Sequence, residues 1–266
     1  AAGDTHNNAI WVDSLGTYVG ITRLWDDRTG QRLVARTESP DFVGWARAVE
    51  VMRADPRSPE SQTYSMPIFE HGGVFLGLVA IFHVLTDTVQ TELAWSPDTV
   101  HWERIDAGAP VIARGPEDAP DSGCAYAAAP VFEDDEIRLY YGGSNGPHTS
   151  WRDGFLCLAR LRPDRFAGFE LSSAGARGLV VTQPVKVTSD DLRINADARG
   201  GQVRVGLFEA GGSAGLLSLD QAVPIRADVL SGPCRWREGG LRALVGKEVQ
   251  LAFELQAARA FSFEFA

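Results

Sequence analysis

A heptapeptide pattern that occurs twice constrains the fold of this chain more than any other feature of its sequence. SPDFVGW (Ser39 to Trp45) and SPDTVHW (Ser96 to Trp102) share S-P-D-x-V-x-W, and a weaker third copy reads RPDRFAGF, from residue 162 to residue 169. The prolines that mark the three copies are Pro40, Pro97 and Pro163, so the pattern returns with a nearly regular period. Periods of about 50 residues or slightly more are typical of β-propeller blades, each of which is a small antiparallel sheet.

Three strand-like segments precede each copy of the pattern. They are NNAIWVD, TYVGITRLW and RLVARTE, then YSMPIFEH, VFLGLVAIF and TELAWS, then CAYAAAPVFE, EIRLYYGG and FLCLARL. They are rich in β-branched and aromatic residues and are bounded by Gly, Asp or Pro, as strands are. Each S-P-D turn ends a strand because proline removes a ladder donor and aspartate caps the turn. The pattern predicts about three blades over residues 1–178; coincidence among β-hairpins is the alternative.

The second part of the chain has a different pattern. LVVTQPVKV, LRINADA, QVRVGLFEA, VQLAFELQ and AFSFEFA alternate apolar and polar residues with period two, and glycine-rich turns separate them. This alternation predicts an antiparallel β-sandwich over residues 179–266. Because helix-period signals are nearly absent throughout, the whole chain is predicted to be all-β, a partial propeller followed by a sandwich.

Composition and charge exclude some classes of partner. The formal net charge of −10 argues against a nucleic acid, whose binders need a basic face. The longest apolar stretch, residues 74–82, is too short to cross a bilayer, so no membrane partner is expected. Three widely spaced cysteines, Cys124, Cys157 and Cys234, are expected to be buried thiols. The compartment stays open between secreted, periplasmic and cytoplasmic.

Three blades do not close a ring, whose smallest common size is about four. Open blade edges leave unpaired donors and acceptors, which invite aggregation. We therefore expect the missing blades to be supplied by an upstream segment or by another chain. The start at AAGDTHNN, directly before a strand, favours an upstream segment.

Two stretches carry a family resemblance: DTHNNAIWVDSLGTYVGITR (Asp4 to Arg23) and DSGCAYAAAPVFEDDEIRLYYGGSNGPH (Asp121 to His148). Together with the sandwich ending, they are similar to uncharacterised bacterial proteins grouped with glycoside hydrolase family 32. The chain thus resembles the five-bladed propeller glycosidases of the family 32/43 type, the invertase, levanase and arabinanase kind, over nearly its whole length. The resemblance implies a partial five-bladed propeller. It also implies a glycoside hydrolase or transglycosidase that acts on an oligo- or polysaccharide through carboxylates in the funnel.

The chain departs from that family where the chemistry lies. The W-M-N-D-P-N-G, R-D-P and E-C strands of the invertase pattern are absent, and Gln62 stands where the resemblance implies an acidic residue. We therefore expect this chain to carry at most a share of the activity and to hydrolyse little or nothing alone. The alternatives are a non-catalytic carbohydrate-binding propeller module and a protein-interaction platform.

Candidate site residues are the polar ones that open each group of strands, because the innermost strand of each blade lines a central funnel. Glycoside hydrolysis needs two facing carboxyl groups, and Asp4 and Asp121 are the predicted catalytic residues. Arg23 would hold Asp4 ionised. The residues predicted to bind the carbohydrate substrate are His6, Asn7, Asn8, Arg23, Tyr64, His83, Tyr126 and His148.

A structural interpretation stands beside each of these roles, since turn residues cap strands and a strand tyrosine is often packed. No spacing of metal ligands occurs, so neither a metal nor another cofactor is predicted. The sugar-processing interpretation through Asp4 and Asp121 requires these two residues and Tyr64 to face one shared hollow.

Overall fold

A computed structural model describes residues 6–55, 60–173, 175–211 and 215–266 of the chain. Strands account for nearly all of its regular structure, and one short 3-10 helix, Leu241–Leu244, occurs in the described part. The predicted all-β class is therefore confirmed. The chain divides into two compact units, residues 1–161 and 162–266. No helix among the described residues is long and apolar enough to cross a membrane.

The first unit begins with a four-stranded antiparallel sheet, in the order β1-β2-β3-β4. Its strands are β1 Asn8–Val12, β2 Thr17–Trp25, β3 Arg32–Ser39 and β4 Val49–Met52. Strand β2 shows the period of two, since Val19, Ile21 and Arg23 are buried along one face. The charged side chain of Arg23 thus lies on the same buried face of β2 as the apolar side chains of Val19 and Ile21.

The second sheet of this unit has ten strands. Its strands are β5 Ser61–Ser65, β6 Ile68–His71, β7 Val74–His83, β8 Thr88–Ser96, β9 Glu103–Arg104, β10 Pro110–Ile112, β11 Cys124–Ala127, β12 Val131–Phe132, β13 Ile137–Ser144 and β14 Gly154–Leu161. A parallel pairing of Cys124 with Val89 joins β11 to β8 and so unites two antiparallel strand groups. The ring of blades that the repeat predicts stays a prediction.

The two sheets of the first unit share a hydrophobic core. Side chains from both contribute to it: Val12, Val19, Ile21, Val34 and Met52 from the first sheet, and Met66, Ile68, Phe75, Val79, Ile81 and Ala94 from the second. Burial of these side chains from water is the main favourable term that holds the sheets face to face.

The repeated heptapeptide forms the same turn twice. Asp41 Oδ1 accepts hydrogen bonds from the amides of Val43 and Gly44 (2.9 and 2.8 Å), and Asp98 Oδ1 does so from the amides two and three residues on. The residue after each aspartate, Phe42 and Thr99, lies in the left-handed region, at φ 63° and 66°. The turn chemistry of aspartate explains why both strands end here.

The tryptophan that closes each copy lies over a glycine of the neighbouring strand. A Cβ on Gly20 would lie 2.7 Å from Trp45, and one on Gly77 would lie 3.1 Å from Trp102. The indole NH donates back to the turn, to the carbonyl of Phe42 in the first copy and of Thr99 in the second. Glycine is therefore needed in both strands for the indole to approach the backbone.

The third copy forms a different turn and lies in the second unit. In it Asp164 itself has a positive φ of 59°, and the amide of Arg165 donates to the carbonyl of Arg162 at 3.2 Å. The serine that supports the aspartate in the first two copies is replaced by Arg162, so that hydroxyl is absent. The sequence similarity of this copy does not extend to its local structure.

The second unit consists of a five-stranded and a three-stranded sheet. The first contains β15 Arg177–Val181, β16 Val185–Lys186, β18 Gln202–Glu209, β19 Gly215–Leu217 and β21 Glu248–Gln256, and the second contains β17 Leu192–Asp197, β20 Asp228–Pro233 and β22 Arg259–Phe265. Alternate residues of β17, β18 and β21 form a single buried core. Two sheets over one core are what a sandwich requires. The unit starts at residue 162, whereas the domain boundary is predicted between residues 178 and 179.

The three cysteines are free thiols. Cys124 and Cys234 are buried, and Cys157 is half-buried. Burial raises the pKa of Cys234 to about 12, so its thiol stays protonated and unreactive at neutral pH.

Candidate functional site

Five ring-bearing side chains from separate parts of the first unit meet in one place. His6 precedes β1, Tyr64 lies on β5, Phe82 on β7, Tyr126 on β11, and His148 in the loop between β13 and β14. We call these five residues the aromatic cluster. The ring centroids of His6 and Tyr126 are 5.2 Å apart in a stacked arrangement, and those of Tyr64 and Tyr126 are 5.4 Å apart. Tyr64 is buried, whereas His6 is exposed, so the cluster is open to solvent at the His6 end.

A hydrogen bond of 2.9 Å joins the Tyr64 hydroxyl to Nε2 of His148. The loop that carries His148 is held against the start of β8 by Asp87, whose backbone carbonyl accepts from the His148 amide at 2.7 Å. The Asp87 carboxylate accepts from the amide and hydroxyl of Thr149. Arg152 donates to three carbonyls of the same loop, among them that of His148. His148 is thus positioned by its backbone and not by its ring alone.

Two guanidinium groups lie over the rings of this region. Arg23 is 4.4 Å from the centroid of Tyr64, and Arg32 is 4.5, 5.1 and 5.0 Å from the centroids of Trp25, Tyr64 and Phe82. Arg32 Nη1 also donates to Oε1 of Gln62 at 2.8 Å. Cation–π contacts of this kind stabilise a guanidinium that is partly removed from water. The site therefore combines aromatic faces with positive charge.

The two predicted asparagines connect strands. Asn7 Oδ1 accepts from the Thr22 hydroxyl at 2.7 Å, which ties the entry of β1 to β2. Asn8 Oδ1 accepts from the amide of Ile68 at 3.0 Å and so links the first sheet to the second. Asn8 therefore joins the two sheets of the first unit.

His83 points away from the aromatic cluster. It follows Phe82 on β7, and successive side chains of a strand leave it on opposite faces. Its Nδ1 lies 3.4 Å from the hydroxyl of Ser61. Burial lowers the pKa of His83 from its ordinary value, so it is a packed neutral imidazole.

Asp121 also lies on another face. Its Oδ2 accepts from the hydroxyl of Tyr141 at 2.6 Å. Tyr141 is paired with Ala127, whereas Tyr126 is paired with Gly142, so the two tyrosines leave the sheet on opposite sides. The expectation that Asp121 shares a hollow with the aromatic cluster is therefore wrong, and its catalytic role stays a prediction without that geometry. Asp4, the other predicted catalytic residue, lies outside the described residues.

Burial controls the protonation of the cluster. It is the largest cause that lowers the pKa of His148, and the charges of Arg32 and Arg152 act in the same direction, against Asp87. Burial likewise raises the pKa of Tyr126 well above its ordinary value. At neutral pH the cluster thus contains a neutral imidazole and a protonated phenol.

The lowered pKa of His148 predicts a loss of stability in mild acid. Below about pH 6.5, the ordinary pKa of histidine, His148 takes up a proton in the unfolded chain that it does not yet bind in the folded chain. The free energy of unfolding therefore falls as the pH falls. Urea unfolding between about pH 7.5 and pH 5.5 should therefore show a shallower pH slope for His148→Gln than for the wild type. His83 contributes equally to both proteins. Identical slopes would contradict the assignment.

The sequence did not reveal Arg32 or Phe82 as members of this region. Tyr64 and Tyr126 lie on the first strand of their groups, where the pattern places candidate site residues. Arg32 lies on the third strand of its group, so the pattern does not single it out. Among the described residues, no group of three or more His, Cys, Asp or Glu side chains could hold a metal ion.

Comparisons with known proteins were made by sequence and by structure. No family model matches the chain, and no curated protein matches it. Its structural neighbours are glycoside hydrolases. One is 18% identical with a TM-score of 0.46, over 59% of this chain and 45% of its own. A glycosyl hydrolase from Bacteroides ovatus is 16% identical with a TM-score of 0.41, over 53% of this chain and 41% of its own.

A family 117 glycoside hydrolase from the marine bacterium Zobellia galactanivorans is 13% identical with a TM-score of 0.48. This similarity covers 95% of the present chain and 84% of that chain. The chain spans less than half of the length of the first two neighbours.

Proposed function

We propose that this chain binds a carbohydrate at the aromatic cluster and belongs to a protein of the glycoside hydrolase type. The observation that carries the proposal is the convergence of His6, Tyr64, Tyr126 and His148, which lie far apart in the sequence. Aromatic faces pack against the C–H faces of sugar rings, and the polar edges of the same side chains hydrogen-bond to hydroxyl groups. The exposed end at His6 provides the entrance for the sugar.

Catalysis needs two carboxyl groups across the glycosidic bond. Asp4, two positions ahead of His6 in the sequence and outside the described residues, is the carboxylate that we propose as general acid, base or transition-state stabiliser. We propose that the second carboxylate lies on further blades, supplied by an upstream segment or by another chain. The isolated 266 residues would then bind carbohydrate and hydrolyse little or none.

One observation favours a non-catalytic carbohydrate-binding module as the second candidate. Gln62, where the resemblance implies an acidic residue, contacts Arg32 as a neutral amide. An amide hydrogen-bonds but neither accepts a proton at neutral pH nor carries charge. Release of reducing sugar by a protein that combines these 266 residues with the proposed further blades separates the two candidates, since a binding module releases none.

The proposal predicts that His6→Ala weakens carbohydrate binding about tenfold, because it removes one stacked and exposed ring from the entrance. The matched control is His71→Ala. His71 stacks on Phe132 with centroids 5.1 Å apart, much as His6 stacks on Tyr126, but on a different part of the second sheet. An oligosaccharide array followed by calorimetry with the best-bound sugar measures the effect. Absence of any bound sugar, or equal losses in both variants, would reject the proposal.

A further inference from the structure

We infer that a second copy of this chain docks on the outer face of the first sheet, so that the protein forms a dimer through this face. The outer face is the side of the sheet that carries Trp11, Tyr18 and Gly20, together with the first S-P-D turn, residues 39–45. It lies opposite the buried side of β2, because successive side chains of a strand leave it on opposite faces. The inference goes beyond the proposed function, since it assigns an interaction surface and does not depend on a carbohydrate.

Four aromatic side chains form a continuous row on the outer face. Trp11 contacts Tyr18 with ring centroids 4.9 Å apart, and Tyr18 contacts Phe42 at 5.0 Å. Phe42 in turn contacts Trp45 at 5.4 Å. Phe42 is 56% exposed, and Val43 beside it is 83% exposed. A contiguous exposed apolar patch of this kind marks an interaction surface, since aromatic residues are enriched where protein surfaces meet.

The corresponding face of the second sheet is covered by another sheet. The glycine under the indole is Gly77 there and Gly20 in the first sheet. Val79, two residues after Gly77, is completely buried in the core that the two sheets share. Thr22, two residues after Gly20, is half-buried and lines a groove instead. The same structural position is thus covered by a β-sheet in one case and accessible in the other.

The two S-P-D turns differ in the same way. In the second copy, Thr99 is completely buried, and its hydroxyl accepts a hydrogen bond of 2.8 Å from Nε of Arg36 on the first sheet. This contact fixes the second turn against the neighbouring sheet. Phe42, which takes the place of Thr99 in the first copy, is exposed and apolar. The partner of the first turn is therefore expected to make an apolar contact there and not a hydrogen bond.

The absence of charge on the outer face favours a second copy of this chain as the partner. A groove of about 580 Å³ lies beside the first turn, and none of the described residues that line it has an ionisable side chain. Two copies that each carry a formal net charge of −10 repel one another over most of their surfaces. An uncharged face is where such copies approach with the least repulsion. A basic partner would instead be drawn to the acidic surfaces.

A twofold axis lets the outer face pack on itself. Phe42 and Val43 project from the first turn, and the groove beside them is lined by Gly20, Thr22 and Thr37. Across a twofold axis the turn of each copy enters the groove of the other. Such a contact closes at two copies and removes both apolar turns from water.

Sedimentation velocity of the 266-residue protein over a range of concentrations tests the inference. We expect a dimer at micromolar concentration. Raising the salt concentration from about 20 to about 200 mM should strengthen the dimer severalfold, because salt screens the repulsion between two net charges of like sign. Hydrogen exchange should show protection of residues 37–48 that increases with protein concentration.

Val43→Asp is the decisive variant, because it places two carboxylates in the apolar contact between the copies. It should weaken the dimer by about 100-fold or more. Val100→Asp is the matched control, since it makes the same change at the corresponding position of the second turn, and it should leave the dimer intact. Phe42→Asn removes one ring of the row but suits the positive φ of 63° at this position. It should therefore weaken the dimer without a loss of stability in urea.

Three outcomes would overturn the inference. A monomer at every protein and salt concentration would mean that the outer face takes a different partner, such as a further sheet of a longer protein. A dimer that survives both Val43→Asp and Phe42→Asn would place the contact elsewhere. Equal dissociation by Val43→Asp and Val100→Asp would mean that added charge in general, and not the outer face, controls association. No sugar takes part in these measurements, so each of these outcomes leaves the proposed function in place.

Discussion

Replacing Gly123 by alanine is expected to destabilise the first unit by about 1–3 kcal/mol and to disable the aromatic cluster in the protein that still folds. A Cβ at this position would lie 1.9 Å from the carbonyl oxygen of Gly146 and 2.4 Å from its carbonyl carbon. Both are backbone atoms, so no rotamer change relieves the clash. The amide of Gly123 donates to the carbonyl of Ser144 at 2.8 Å, which holds the two segments together.

The effect on the site follows from the position of Gly146 in the chain. It lies two positions before His148, in the loop that presents the imidazole to Tyr64. Displacement of Gly146 therefore lengthens the contact between His148 and the Tyr64 hydroxyl, which depends on a geometry of about 3 Å. Carbohydrate binding should weaken at least about tenfold even below the unfolding temperature.

Gly142→Ala is the matched control, since a Cβ there meets no atom within 4 Å. It lies on the neighbouring strand, paired with Tyr126, and tests whether any extra methyl group near the cluster has the same effect. Urea unfolding measures stability, and calorimetry with the best-bound oligosaccharide measures the site. If Gly123→Ala unfolds at the same urea concentration as Gly142→Ala, the close approach of Gly123 to the Gly146 backbone does not constrain the residue type at position 123.

Local chemistry made the turns and strands predictable. The aspartates of the two S-P-D copies accept the same pair of backbone amides, and the tryptophans that follow lie over Gly20 and Gly77, which are separated in the chain just as the two copies are. These contacts are made within a few residues or between adjacent strands. A sequence pattern records them because each requires a particular residue type.

The faces of the inner strands were not predictable in the same way. In VFLGLVAIFH, Phe75 to Phe82 are all buried, so the alternation that tells one face from the other is lost. His83 and Phe82 therefore look equally suited to the site, although they point in opposite directions. The same alternation places Asp121 and Tyr126 on opposite faces of the sheet. A polar residue just before a strand can be predicted to lie near that strand, but the face on which its side chain lies cannot.

Arg32 shows a further limit of the sequence. It contacts rings that stand at positions 25, 64 and 82, and only packing of the two sheets brings these positions together. No spacing in the chain encodes that packing, because the sheets meet through an apolar core whose residues are interchangeable in kind. The position of the Arg32 charge at the site could therefore be recognised only from the structure.

The largest loss of stability is expected from Glu92→Ala, at about 3–5 kcal/mol. Glu92 lies on β8 with its side chain fully buried, and its Oε2 accepts from Nε and Nη2 of Arg104 at 2.9 and 2.5 Å. Truncation removes the counter-ion of a guanidinium that is itself only 17% exposed, and leaves that charge without compensation in the strand pairing of β8 with β9. The expected loss of stability comes from the desolvation of the unpaired Arg104 guanidinium, and not from the energy of the Glu92–Arg104 contact alone.

Two companion variants test this reasoning. Glu92→Gln keeps an acceptor for Arg104 but not the charge, so its loss should be intermediate. Glu133→Ala breaks an ion pair with Arg138 in which both side chains are about one third exposed or more, and it should cost less than about 1 kcal/mol. Urea unfolding of the three variants under the same buffer and salt should therefore rank them Glu92→Ala, Glu92→Gln and Glu133→Ala in order of decreasing loss. A Glu92→Ala protein as stable as Glu133→Ala would mean that water reaches Arg104 and that β9 is only loosely held against β8.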